Sequence, residues 1–370
     1  MAFDAPPFEY SPDHVPAPGA LLQRYLDAWD MSAREFSRRC GRSSKLIVEI
    51  LSGKASIEPE TALQFERVLD MPAYIWLQYE ANYRLHLAQQ EDAKNLQEAS
   101  RWTEQFPIEE MRARNVLPHT RNSADLIQRV LKFFGAGSID ACNERFAELA
   151  SVSYRHSPAF KSHEGPLLVW LRMGELAAQR IECEDYDKAK FLKALRKIRT
   201  LTTETIEIAA KAMETYCAQA GVAFVIVKPI EKTAVSGISR WLSPRKGLIQ
   251  QSLRYMSNDH FWFTFFHEAA HLLLHSRKTV FLDGQKIASG NSKEETEAND
   301  WSANFLVPRP DFNEFVATFA GTADEVHTFA REQGIDPGIV VGQLQKACII
   351  TYHSKLNHLK RRYVWKTPTA

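Results

Sequence analysis

Cysteine is scarce in this 370-residue chain, and the five that occur (Cys40, Cys142, Cys183, Cys217 and Cys348) are scattered, odd in number and never spaced as C-x-x-C. That pattern excludes a disulfide framework and a cysteine zinc cage, and it fits a reducing compartment. Long apolar runs are missing as well: nothing approaches the roughly 20 residues that span a bilayer. The opening residues, MAFDAPPFEYSPDHVPAPG, lack the basic stretch and apolar run of a secretory signal. The expectation is a cytoplasmic protein with no membrane partner. Charge of one sign is not in excess either, with a net +1, so any hold on nucleic acid must come from a local patch. With 45% hydrophobic and 25% charged residues, few glycines and prolines and no internal repeat, the composition is that of an ordinary globular protein.

The length implies more than one core, because domains hold about 100 to 200 residues. Residues 1–15 are proline-rich and read as an extended arm. Helical spacing broken by turn signals predicts five short helices, at 19–29, 32–40, 43–51, 59–69 and 73–83, within a unit covering 16–90. Residues 91–200 read as a helical connector. They are polar at first, with breakers at Pro107 and Pro118, and then carry the amphipathic segments DLIQRVLKFFG, ACNERFAELASVSY, LLVWLRMGELAAQRI and KAKFLKALRKI. Gly135 and Gly137 stand where a helix would end. After a helix at 203–218 the pattern turns to β, in VAFVIVKP, SGISRWL and KGLIQQSLRY. A long apolar helix capped by Asn258 or Asp259 follows, then a second helix at 293–306 stopped by Val307-Pro308.

The apolar helix contains His267-Glu268-Ala269-Ala270-His271. Two histidines four apart place both imidazoles on one helical face, near enough to share a metal, and Glu268 lies between them facing the open position. Zinc lowers the pKa of water toward neutrality and polarises a carbonyl, while Glu268 serves as general base and proton carrier to the leaving amine. Chance would produce this pattern roughly 0.03 times in a chain of this composition. Burying two histidines and a glutamate in an apolar helix without a metal or partners is also costly. A catalytic zinc needs a third protein ligand. A third histidine at the metzincin spacing is absent, since Arg277 occupies that place. His275 lies one turn too far along and reads as a cap or a support for a ligand. Spacing alone leaves Glu294, Glu295 and Glu297 open. Glu295 has the advantage of standing four residues before Asn299, so that the carboxylate can bind metal while the amide orients a ligand histidine. Arg254, Tyr255 and His275 are candidates for the oxyanion by proximity, and the strand KGLIQQSLRY for pairing with an extended peptide as an edge.

HEAAHLLLH followed by EETEANDWSANFLVP resembles the ImmA/IrrE metallopeptidase family, although the stretch from Trp301 to Phe305 departs from its usual wording. The resemblance covers about residues 200 to 370. It implies His267, His271 and Glu295 as zinc ligands, Glu268 as general base, and cleavage of a regulatory protein such as a repressor.

Near the start, Ser32-Ala33-Arg34-Glu35 has the form of a capping box, Cys40-Gly41-Arg42 makes a turn, and a second short helix ends before Gly53. This is a helix-turn-helix pattern. Leu46, Ile47 and Ile50 would face Phe36, leaving Arg42, Ser43, Ser44 and Lys45 at the exposed end for phosphates and base edges. Residues 32–54 hold six basic side chains against Glu35 and Glu49, which suits phosphate contact. From about 16 to 85 the sequence resembles the HigA type of antitoxin repressors in the XRE class. That implies operator DNA as partner, a homodimer through the N-terminal domain, and neutralisation of a toxin.

The expected fold is mainly α with a small β-sheet: an N-terminal five-helix DNA-binding domain, a helical connector, and a C-terminal α+β zincin-like peptidase domain over 201–370. The expected function is a DNA-binding regulator or antitoxin fused to a zinc metallopeptidase that cleaves a regulatory partner, repressor or toxin, or itself. The competing reading is a toxin-neutralising autorepressor whose zinc fold interacts or senses without cutting.

Overall fold

The computed structural model describes residues 15–153, 164–233, 235–275, 281–284 and 293–365. The expected arm at 1–15 lies outside them apart from its last residue. The chain packs as two compact units, Met1–Ser100 with Thr120–Ile127, and Arg101–His119 with Gln128–Ala370. The whole is mostly helical with one small sheet.

The first unit holds α1 (Pro18–Ala28), α2 (Ala33–Cys40), α3 (Ser44–Leu51), α4 (Pro59–Leu69) and α5 (Ala73–Glu98). Pro18 and Pro59 open their helices where a missing N–H costs no hydrogen bond. Ser32 caps α2 by accepting from the Glu35 amide at 3.1 Å, and Gly41, at φ +65°, ends it. The return half of the expected capping box does not form, because the Glu35 carboxylate turns to Arg38 and Arg39. Leu22, Phe36, Ile47, Ile50, Phe65 and Trp76 are no more than 1% exposed, and the Phe65 ring lies 4.9 Å from Phe36 and 5.4 Å from Trp76. These apolar contacts fix α3 against α2 and α4. A Cβ at Gly19 would stand 2.2 Å from the Ile50 carbonyl oxygen, so only glycine lets α1 come this close to the end of α3. α5 runs past the predicted stop at 83 to Glu98, since RLHLAQQEDAKNLQE offers strong helix formers and no breaker.

Five helices lead into the second unit's sheet: α7 (Ser123–Phe134), which spans the division between units, preceded by α6 (Ile108–Ala113) and followed by α8 (Ile139–Ser153), α9 (Glu164–Gln179) and α10 (Lys188–Thr200). Then α11 (Ile206–Ala218) turns at Gly221, φ +81°, into β1 (Val222–Ile226). With β2 (Val235–Ser243), β3 (Lys246–Gln251) and β4 (Phe281–Gly284) it forms a sheet in the order β1-β3-β2-β4. β3 is parallel to β1 and antiparallel to β2, so it is paired on both sides. The expectation that it offers an edge to a peptide is therefore incorrect. β3 itself is buried from Gly247 to Gln251, as an interior strand must be.

α12 (Asn258–Leu274) lies on the sheet, with Phe224 and Phe265 rings 5.2 Å apart. Trp262, Phe265 and Phe266 are fully buried with Leu306, Val340 and Leu344 from α13 (Lys293–Leu306) and α16 (Pro337–Lys346), while α14 (Arg309–Thr318) and α15 (Ala323–Gln333) connect these two. The N-cap of α12 is Ser257, not Asn258 or Asp259, and the Asn258 amide instead donates to Asp336. Two charges of the basic stretch HSKLNHLKRRYVWK are used within the fold. Lys360 donates to Asp259 and Gln345, and Arg361 to Asp336 and to the carbonyls of Thr202, Thr203 and Glu204. No helix among the described residues is long and apolar enough to cross a membrane.

Candidate metal centre and helix-turn-helix head

α12 and α13 bring together three of the residues singled out in the sequence. The Nε2 atoms of His267 and His271 lie 3.0 Å apart; Glu295 places Oε2 3.3 Å from the first and Oε1 3.4 Å from the second. The three residues are 3%, 2% and 9% exposed. Among the described residues, they form a group whose possible ligand atoms all lie within 4.8 Å of one another. The donor set fits a small divalent cation: ligand bonds of about 2.0 to 2.1 Å in a tetrahedron imply ligand atoms about 3.3 Å apart, close to the spacings found.

The electrostatics agree. Burial pushes the His271 imidazole down to about 4, beyond the opposing pull of Glu295, so its ring is neutral near pH 7. Burial alone would raise the Glu295 carboxyl, but hydrogen bonds to His267 and His271 hold it well below the usual carboxylate range. Two imidazoles and an ionised carboxylate thus converge in a buried site, a combination that attracts a cation.

Glu268 sits beside His267 and is fully buried. β2 passes directly over it at Gly237, where a Cβ would stand 3.2 Å from Glu268 Oε1, 3.1 Å from its Cγ and 2.6 Å from Thr264 Cγ2. Sequence reasoning had not singled out Gly237. A lone glycine inside a strand pattern is the signal that marks such close approach. Asn299 is half-buried and has no hydrogen bond to either histidine among the described residues. His271 Nδ1 instead meets His275 Nδ1 at 2.9 Å, and His275 Nε2 lies 3.4 Å from Glu297. Glu294 is half-buried and Glu297 exposed. Arg254 lies over the Tyr255 ring at 5.1 Å, and Tyr255 stacks on His260 at 4.3 Å.

In the head, Ser43 caps α3 by accepting from the Leu46 amide, Ser44 shares a 2.9 Å hydrogen bond with Ser37, and Arg42 donates to Gln64. Lys45 reaches outward, its side chain 84% exposed and 3.8 Å from Glu49. All four residues therefore stand at the N-terminal end of α3. The first three are held by the fold, and the fourth projects into solvent.

Two parts of the chain are similar to known proteins. The family model for Peptidase M78, the IrrE N-terminal-like domain, matches residues 223–341. The uncharacterized HTH-type transcriptional regulator YddM of Escherichia coli (strain K12) is 34% identical over 62 residues, which is 17% of this chain and 66% of that regulator's length. Among solved structures, the Pseudomonas aeruginosa antitoxin HigA with higBA promoter is 22% identical, and an addiction module antidote protein of a HigA family from Coxiella burnetii is 24% identical. Each match covers 23% of this chain and 94% of that chain, with a TM-score of 0.22. From β1 into α16 the chain carries an IrrE N-terminal-like domain of the metallopeptidase type, and its N-terminal part is similar to helix-turn-helix transcriptional regulators.

Proposed function

We propose that this protein is a DNA-binding regulator, with its head within 16–90 and a connector over 91–200, whose C-terminal domain, 201–370, is a zinc-dependent endopeptidase acting on a regulatory protein partner or on the chain itself. The observation that carries the peptidase reading is the convergence of His267, His271 and Glu295, with Glu268 one residue from the first. His267, His271 and Glu295 would hold the ion. When bound, zinc acidifies water and polarises the scissile carbonyl. Glu268 accepts the proton from the attacking water at its carboxylate and returns it to the leaving amine. Gly237 keeps the strand backbone close over that carboxylate and limits the space beside it.

The head binds operator DNA, as a dimer reading two half-sites, through Lys45 and Arg42 to phosphates and the Ser43–Ser44 end of α3 toward the bases. Binding there brings the peptidase near products of the same operon and raises their effective concentration. The similarity to an HTH-type transcriptional regulator supports this part.

A second reading, a toxin-neutralising autorepressor whose zinc fold does not cut, draws on one observation: Glu268 is 0% exposed. One experiment separates the two. Zinc content is measured on the purified protein, and wild type and Glu268→Gln are incubated with the proteins encoded beside it. The peptidase reading requires cleavage, of a partner or of the chain, by wild type and not by the variant. If neither cuts while both neutralise a toxin, the second reading stands. For the head, Arg42→Ala with Lys45→Ala should weaken DNA binding and flatten its salt dependence; unchanged binding rules out the assignment.

A further inference from the structure

The geometry points to a carboxylate–histidine–histidine relay, Glu297–His275–His271, that fixes the tautomer of a metal ligand and sets the affinity of the site for zinc. This inference rests on the metal-binding reading above and adds two positioning residues to it.

The two ring nitrogens of His271 meet different neighbours. Nε2 faces His267 and Glu295, at 3.0 and 3.4 Å. To offer a lone pair there, a neutral ring must carry its proton on Nδ1. That nitrogen lies 2.9 Å from Nδ1 of His275. One of the two must donate and the other accept, so a proton on His271 Nδ1 makes His275 Nδ1 the acceptor. The His275 proton is then on Nε2, and the group in front of Nε2 is the Glu297 carboxylate at 3.4 Å. The charge at the end of the chain orients each imidazole in turn and makes the ligand nitrogen of His271 more basic.

The fold favours this arrangement at both ends. His275 is the C-cap residue of α12, with an extended backbone, yet its amide still donates to the His271 carbonyl at 3.1 Å. This local turn returns its ring beside His271, and its side chain is only 4% exposed. Glu297, on α13 two residues after Glu295, is 45% exposed and lies 3.6 Å from Lys293. The carboxylate is therefore reached by solvent while its partner histidine is sheltered.

The test uses zinc alone as ligand, with wild type, His275→Ala, Glu297→Ala and Glu297→Gln titrated against a chromophoric chelator. His275→Ala should weaken zinc binding about 10- to 100-fold. Glu297→Ala should weaken it less, and Glu297→Gln, which keeps an acceptor oxygen, should recover part of the loss. A merely structural role is separated by ¹⁵N-histidine spectra of the zinc-loaded wild type, which should show the proton on Nδ1 of His271 and Nε2 of His275. In Glu297→Ala the His275 preference should relax while its metal-free melting temperature stays at the wild-type value. Zinc affinities within twofold of wild type in every variant, or a proton on Nδ1 of His275, would overturn the relay. A wild type that binds no zinc overturns instead the metal reading on which it rests.

Discussion

At the scale of single residues, the metal centre is an arrangement that acid should dismantle. The folded-state value of His271, about 4, lies below the ordinary 6.5, and that of Glu295 lies below its ordinary 4.5. In both cases the unfolded chain takes up protons that the folded one refuses, so stability is fully present above pH 6.5 and is lost as pH falls. His271 contributes the loss between 6.5 and about 4, and Glu295 adds to it below 4.5. Melting temperatures of the metal-free protein should therefore fall between pH 7 and 4.5, and zinc at neutral pH should raise them. A flat profile across that interval would contradict the burial of a neutral His271. The histidine pair was legible in the sequence because a helix converts a spacing of four into one face. Its lateral support was only partly legible: Asn299 shares a helical face with Glu295, but contact across helices depends on where α12 ends and His275 turns back.

At the scale of elements, legibility followed periodicity. The helices of the head, the three strands before the metal helix and the segment 293–306 all carry strong local patterns. Their order in the sheet does not, because pairing depends on which neighbours supply apolar faces, and β3 proved to be interior. Gly237 shows how tightly β2 and α12 fit. Gly237→Ala should destabilise the protein by about 1 to 3 kcal/mol through overpacking. Thr264→Ser, which removes the methyl group 2.6 Å from the added carbon, should restore part of the loss in the double variant. Chemical denaturation of the two single variants and the pair measures the coupling; strict additivity would show that the clash is relieved elsewhere.

At the scale of the whole molecule, two features were hidden in average numbers. The net charge of +1 conceals a basic helix-turn-helix segment, and in the basic C-terminal stretch, which resembles a nucleic-acid patch on charge alone, Lys360 and Arg361 are tied to carboxylates of the fold. Lys360 pairs at 2.5 Å with Asp259, whose side chain is 7% exposed. Lys360→Ala should cost about 3 kcal/mol, because it leaves the charge of Asp259 buried without its partner. Lys360→Ala with Asp259→Asn should lose less. Thermal unfolding reads both, and an equal loss in the single and double variants would show that the pair itself contributes little. Such a role could not be read from the sequence, since the two partners are 101 positions apart.

That separation bears on synthesis. Both histidines leave the ribosome long before the residues that brace the start of their helix, so a partly made chain carries the ligands without the frame that aligns them. The metal centre should mature only after Lys360 has emerged to meet Asp259, and chains stalled before residue 355 should take up zinc poorly although every ligand is already present.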